Sequence, residues 1–240
     1  MPQGAVRDRL IAALDFATLA EAEAMALRLK GRVGMVKVGL ELLHAEGPEA
    51  VRRLTVAGHR VFCDCKLHDI PNTVAGAARA LTATGLAMFN VHAGGGAAMM
   101  RAAKEAADEA ARAAGLAPPL VVGVTVLTSL DQDDLGALGV GRPLDEQVAD
   151  LARLAQQAGL DGVVASAHEI ACVRQACGRD FRIVTPGIRP SGAGADDQKR
   201  TMTPREAIAG GADYLVVGRP ITRAADPPAA ADAIVREMAS

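Results

Sequence analysis

The chain has 240 residues, half of them hydrophobic and 22% charged, which is enough to bury a sizeable core and too apolar for a disordered polymer. A net charge of −2, no Trp, one Tyr and four Phe supply neither the basic excess nor the stacking surface that nucleic acid or an anionic membrane would need. The apolar run Leu10–Leu14 stops at Asp15, too short for a signal-peptide core, and no uninterrupted apolar stretch reaches the length of a membrane span, so a cytoplasmic protein is expected.

In chain order, β-prone runs alternate with Ala-rich helical stretches. The strands are expected at Leu10–Leu14, Gly34–Val38, Val61–Lys66, Ala87–His92, Leu120–Val126, Gly162–Ala165, Arg182–Thr185 and Tyr214–Val217. Helical patterns fall between them, near Leu19–Lys30, Pro48–Ala57, Asn72–Thr84, Ala97–Ala114, Asp145–Gln157, Glu169–Ala176 and Pro204–Ala209, and a last one covers Pro228–Met238. Strand–helix alternation predicts an α/β fold with a parallel sheet. The count of eight strands favours a closed (β/α)8 TIM barrel over an open doubly wound sheet, and no early strand is followed by G-x-G-x-x-G. Gly94-Gly95-Gly96 lacks that spacing and reads first as a tight βα turn rather than a phosphate cradle. No linker or composition shift divides the chain, so residues 1–240 read as one domain.

The four cysteines do not show paired metal-ligand spacing: Cys63 and Cys65 share a strand face, and Cys172 and Cys177 lie in a helical stretch. They read as reduced thiols, and no metal site is expected. Two connections are long, Thr128–Leu144 and Pro186–Met202, and the second lies where barrel enzymes commonly bind phosphate.

Polar residues gather where the expected strands end. Asp15 follows the first, Lys37 ends the second, and Asp64 and Lys66 end the third, two apart and therefore on one face. His92 ends the fourth, Thr128 and Ser129 follow the fifth, Ser166 and His168 the sixth, Arg189 the seventh, and Gly218-Arg219 the eighth. Taken singly, each has a plainer use. Asp15 and Asp69 suit helix starts, Lys37 a snorkelling surface position, Arg219 a surface ion pair, and the histidines structural hydrogen bonds. Together, Asp15, Lys37, Asp64, Lys66 and Asp69 form an alternating charge array at one barrel mouth. An ammonium in such an array can stabilise a developing carbanion and then give it a proton. Arg219, the amides near Gly218 and the Arg189 loop suit a phosphate dianion.

The stretch Asp64-x-Lys66-x-x-Asp69-Ile70-Pro71-Asn72-Thr73-Val74 resembles the signature of the orotidine 5′-phosphate decarboxylase family. The resemblance runs from Leu10 to Arg219, through Ala12-Ala13-Leu14-Asp15, Val36-Lys37-Val38-Gly39, Asn90-Val91-His92-Ala93, Leu127-Thr128-Ser129, Thr185-Pro186-Gly187-Ile188-Arg189, Asp196-Asp197-Gln198 and Val216-Val217-Gly218-Arg219. It implies loss of CO₂ from orotidine 5′-phosphate to give UMP, without metal or organic cofactor. It also implies roles. Lys66 would protonate C6, beside Asp64 at the departing carboxylate, while Lys37 and Asp15 bind ribose hydroxyls. Thr128 would contact the pyrimidine, Gln198, Gly218 and Arg219 the phosphate, and Arg189 would sit on a closing loop. Asp69 and Thr73 would reach the neighbouring subunit's site, which makes the expected enzyme a homodimer with shared sites. Cys65 departs from the aliphatic residue more usual in the bacterial pattern, on the face turned away from the mouth. Metal-dependent sugar-phosphate relatives carry a glutamate where this chain has Lys37, and a silent phosphate-binding barrel would be expected to have lost members of the array.

Overall fold

Leu10, Ala12, Val36 and Val38 turn one way from their strands while Ile11, Ala13, Met35 and Phe62 turn the other, and each set is buried. A sheet that is apolar on both faces needs cover on both, and it finds it by closing on itself inside a ring of helices. In the computed structural model, which describes residues 3–190 and 202–240, the strands form one closed parallel barrel in sequence order. They are β1 (Leu10–Ala13), β2 (Met35–Val38), β3 (Val61–Leu67), β4 (Met88–His92), β5 (Leu120–Val124), β6 (Gly162–Val164), β7 (Arg182–Thr185) and β8 (Tyr214–Val217). The seam is sealed by β8 pairing with β1, Val216 opposite Ile11. A small inner core of Ile11, Met35, Phe62, Met88, Val122 and Val184 fills the barrel, and a much larger layer lies between strands and helices.

All eight expected strands are present, with β5 ending two residues short, at Val124. The expected helices are present too, and the described residues add short ones that the periodicity did not reveal. Leu40–Glu46 is isolated by Gly39 and by Gly47, whose φ of 67° ends it before Pro48 opens the next helix. Gln132–Ala137 lies inside the first long connection, started by a reciprocal cap between Asp131 and Asp134. Gln3–Arg7 precedes β1, and Arg219–Thr222 follows β8 directly. Gly94 and Gly95 belong to a 3₁₀ turn, Ala93–Gly95, that leads into the helix Gly96–Ala114, as a tight βα turn requires. Among the described residues no helix is long and apolar enough to cross a membrane.

Candidate active site

β3 departs from a regular ladder against β4, and the site is built on that departure. Cys63 pairs with Phe89 and Leu67 with Val91, so four residue steps on β3 face two on β4. The surplus is a bulge at Asp64-Cys65-Lys66, a feature that re-aims side chains beside active sites. Lys66 there has φ 48°, the one residue other than glycine at positive φ among those described. Asp64 and Lys66 stay on the inner face with Phe62, whereas Cys65 turns toward the helical layer and offers its thiol to the Asn90 carbonyl at 3.4 Å.

Asp64 is the hub. Lys66 Nζ donates to its Oδ1 at 2.6 Å, Lys37 Nζ lies 3.3 Å from its Oδ2, and the Asn90 amide donates to Oδ1 at 2.7 Å. Lys37 also reaches Asp15 Oδ1 at 3.2 Å, so Asp15, Lys37, Asp64 and Lys66 form an unbroken chain of alternating charge. Gly39 makes room for it. A Cβ there would sit 2.8 Å from Asp15 Oδ1 and 2.9 Å from Lys37 Nζ, displacing the pair.

Burial opposes charge on Asp64, yet Lys37 and Lys66, with hydrogen bonds from Lys66 and Asn90, outweigh it and hold the carboxyl below its ordinary range. Burial likewise opposes the Lys37 ammonium, and Asp64 and Asp15 overcome it, raising its pKa above the usual lysine value. The depressed Asp64 carboxyl adds stability above its unfolded-state pKa and loses it as pH falls through the lower folded value. Raised Lys37 adds stability below its own unfolded-state value and loses it as pH rises through the higher folded one. Both are therefore charged across the neutral range. Because Lys37 is the foremost attraction on Asp64, Lys37→Ala should bring the folded-state Asp64 pKa back toward its unfolded value, lowering stability at neutral pH and making its fall on acidification shallower. Melting temperatures measured from neutral to acid pH test this, and superimposable acid limbs for the two proteins would refute it.

Lys37, Asp64 and Lys66 line a cavity at the barrel mouth with Phe62, Val124 and Thr128. Pro186 and Val216 also border it, so the charged array faces a largely apolar wall. Gly218 abuts Asp15, since a Cβ on it would lie 3.8 Å from Asp15 Oδ2, and Arg219 opens the short helix behind it. Arg189 is buried. Its backbone N–H donates to the Met202 carbonyl at 3.0 Å, which ties together the two ends of the second long connection. Gln198, with Asp196 and Asp197, lies outside the described residues.

The fifth member of the expected array does not join it within one chain. Asp69 is exposed, its Oδ1 accepting the Ile70 N–H at 2.6 Å, and Thr73 is exposed one helical turn on. Between them Ile70 is 67% exposed, a large apolar side chain on that surface. His92 stacks on His68 with ring centroids 5.3 Å apart, and burial, then His68 and Lys66, lower its pKa. His168 is exposed on the turn Ala167–Glu169 and is absent from the cavity lining. Sequence reasoning singled out neither Asn90 nor Gly39. The available signal for Asn90 was a lone amide in the apolar strand Met88–His92, at a position that alternation turns inward with Met88.

A closed (β/α)8 barrel with an interlocked carboxylate–ammonium chain at the C-terminal mouth of its strands defines a barrel enzyme that works by charge placement and proton transfer. Comparison with known proteins narrows the class. Residues 8–234 match the Orotidine 5'-phosphate decarboxylase / HUMPS family. The orotidine 5'-phosphate decarboxylase of Moorella thermoacetica is 55% identical over 233 residues, 97% of this chain and 92% of that one. That of Syntrophotalea carbinolica is 55% identical over 234 residues, 98% of this chain and 96% of the relative. The crystal structure of orotidine 5'-phosphate decarboxylase from Lactobacillus acidophilus superposes with a TM-score of 0.86 at 39% identity, covering 96% of this chain and 99% of that one. The chain belongs to the orotidine 5'-phosphate decarboxylase family.

Proposed function

We propose that this chain decarboxylates orotidine 5′-phosphate to UMP and CO₂, the last step of de novo UMP synthesis, as a single-domain cytoplasmic enzyme. The observation that carries the reading is the Asp64 carboxylate held between two ammonium groups at the barrel mouth. The substrate's own carboxylate would lie beside Asp64 and Lys66. As the C6–carboxylate bond breaks, CO₂ leaves and the electron pair stays on C6, where the Lys66 ammonium stabilises it and then delivers a proton. Lys66 regains that proton from water, so one proton is consumed per turnover. Asp64 orients Lys66 through their 2.6 Å contact, and Lys37 and Asp15 bind ribose hydroxyls while keeping the charge chain intact.

Thr128, on the cavity wall, faces the pyrimidine. Gly218, Arg219, Arg189 and Gln198 hold the phosphate, whose binding energy is then available to the transition state. The exposed edge carrying Asp69, Ile70 and Thr73 meets a second copy of the chain, so that Asp69 and Thr73 complete the neighbour's site in a homodimer. The chemistry calls for no metal and no organic cofactor. Lys37 separates this reading from metal-dependent relatives, because an ammonium has no lone pair to offer a cation and both its contacts are carboxylates.

UMP formation from orotidine 5′-phosphate, with and without EDTA, tests the proposal. Equal turnover in both is expected. Loss with EDTA would move the chain toward its metal-dependent relatives, and no turnover from folded protein would leave a silent phosphate-binding barrel.

A further inference from the structure

We infer that Asn90 is a positioning residue for the reaction, its side-chain amide standing in for the ladder partner that the β3 bulge removes and thereby fixing Lys66 and Asp64 together. The inference rests on the decarboxylase reading of the site. Opposite Asn90, β3 carries surplus residues, and the regular pairing breaks between Cys63 and Leu67. A bulge leaves backbone groups without their cross-strand partners, and in a barrel wall these must be satisfied by something else. Asn90 does it. Its Oδ1 accepts the Lys66 N–H at 2.7 Å, and its own carbonyl receives the Cys65 thiol at 3.4 Å.

The remaining half of the amide then points at the reaction centre. Asn90 Nδ2 donates to Asp64 Oδ1 at 2.7 Å, the same oxygen that Lys66 Nζ approaches at 2.6 Å. One fully buried side chain thus holds the backbone of the proton donor and the carboxylate that orients its ammonium. The Lys66 backbone needs such a restraint, since φ 48° is a conformation that side chains other than glycine rarely adopt. Both bonds use an amide in one orientation, acceptor toward an N–H and donor toward a carboxylate. Neither an ionised aspartate nor leucine supplies that pair. Asn90 is absent from the lining of the mouth cavity, so its effect passes through Lys66 and Asp64.

Two variants test the role beside the wild-type enzyme. Asn90→Ala should lower kcat about a hundredfold, as misplacement of a reacting group does, with KM within about fivefold of wild type. Asn90→Asp keeps the acceptor for Lys66 but sets a second carboxylate against Asp64, so activity requires a shared proton that supplies the lost donor. The titratable groups around that pair are Lys37, Lys66, Asp15, Cys63, Cys65, His68 and His92, all present in both proteins. The ratio of Asn90→Asp to wild-type kcat should therefore fall as pH rises from about 5 to about 9. A purely structural asparagine would leave that ratio flat, and a flat ratio overturns the inference, as does an Asn90→Ala kcat within about threefold of wild type. Should Asn90→Ala fail to fold, the pH ratio of the near-isosteric Asn90→Asp decides alone. Wild-type turnover with both variants unaffected removes only the positioning role, whereas no wild-type turnover overturns the decarboxylase reading and this inference with it.

Discussion

Lys66→Ala is expected to lower kcat by about 10⁴-fold or more while leaving the barrel folded, because it removes both the proton donor and a cation beside the reacting carbon. The fold should survive the change. Lys66 sits at the mouth with its side chain 29% exposed, and its loss leaves Asp64 still paired with Lys37 at 3.3 Å and bonded to Asn90 at 2.7 Å. No buried carboxylate is stranded, so the usual penalty for breaking a buried ion pair is largely avoided. Circular dichroism and melting should therefore match wild type while UMP formation vanishes. Lys66→Arg separates the two contributions. A guanidinium keeps the positive charge but does not release a proton at accessible pH, so this variant should also be nearly inactive. Activity of Lys66→Ala within about tenfold of wild type would remove Lys66 from the chemistry, and near-normal activity of Lys66→Arg would reduce its part to charge alone.

Why Asp64, Lys66 and Lys37 were legible in the sequence while Asn90 was not has a physical basis. Alternation along a strand is local, so two residues at i and i+2 can be placed on one face from sequence, and Asp64 and Lys66 do meet there. Strand ends converge at one mouth in any closed parallel barrel, which brings Lys37 and Asp15 to them without knowledge of register. The β3 bulge is different. It depends on how many residues of β3 face β4, a long-range count that no local pattern encodes, and only that count makes the Asn90 amide necessary. The same reasoning covers Gly39, whose missing Cβ matters only because Lys37 on its own strand reaches across it to Asp15 at the end of the neighbouring one. For the fold, the strands were legible because eight apolar β-prone runs recur. The helix Leu40–Glu46 was not, being short and closed at both ends by glycine. Asp69 illustrates a third limit. The alternating pattern of acids and lysines suggested one array, yet in a single chain Asp69 is exposed and, among the described residues, its side chain accepts from the neighbouring Ile70 N–H alone.

That exposure leads to the second large effect. If Asp69 serves the neighbouring subunit's site, Asp69→Ala should be nearly inactive even though the residue touches none of its own chain's array, and Lys66→Ala should be inactive through its own site. Mixing the two dead proteins under conditions that exchange subunits should restore activity. A mixed dimer contains one site with Lys66 from one chain and Asp69 from the other, and a second site with neither. Random exchange makes about half the dimers mixed, so recovery should approach about a quarter of the wild-type rate per site. The expectation is quantitative and has a built-in control, because neither parent alone can exceed its own residual rate. Mixtures that stay dead after subunit exchange has been demonstrated independently, for example by mass-tagged chains, would place Asp69 outside the partner's site. Recovery near a quarter would instead make the exposed edge of Asp69, Ile70 and Thr73 part of the catalytic unit, and would explain why an acid and a large apolar side chain stand in solvent on one protomer.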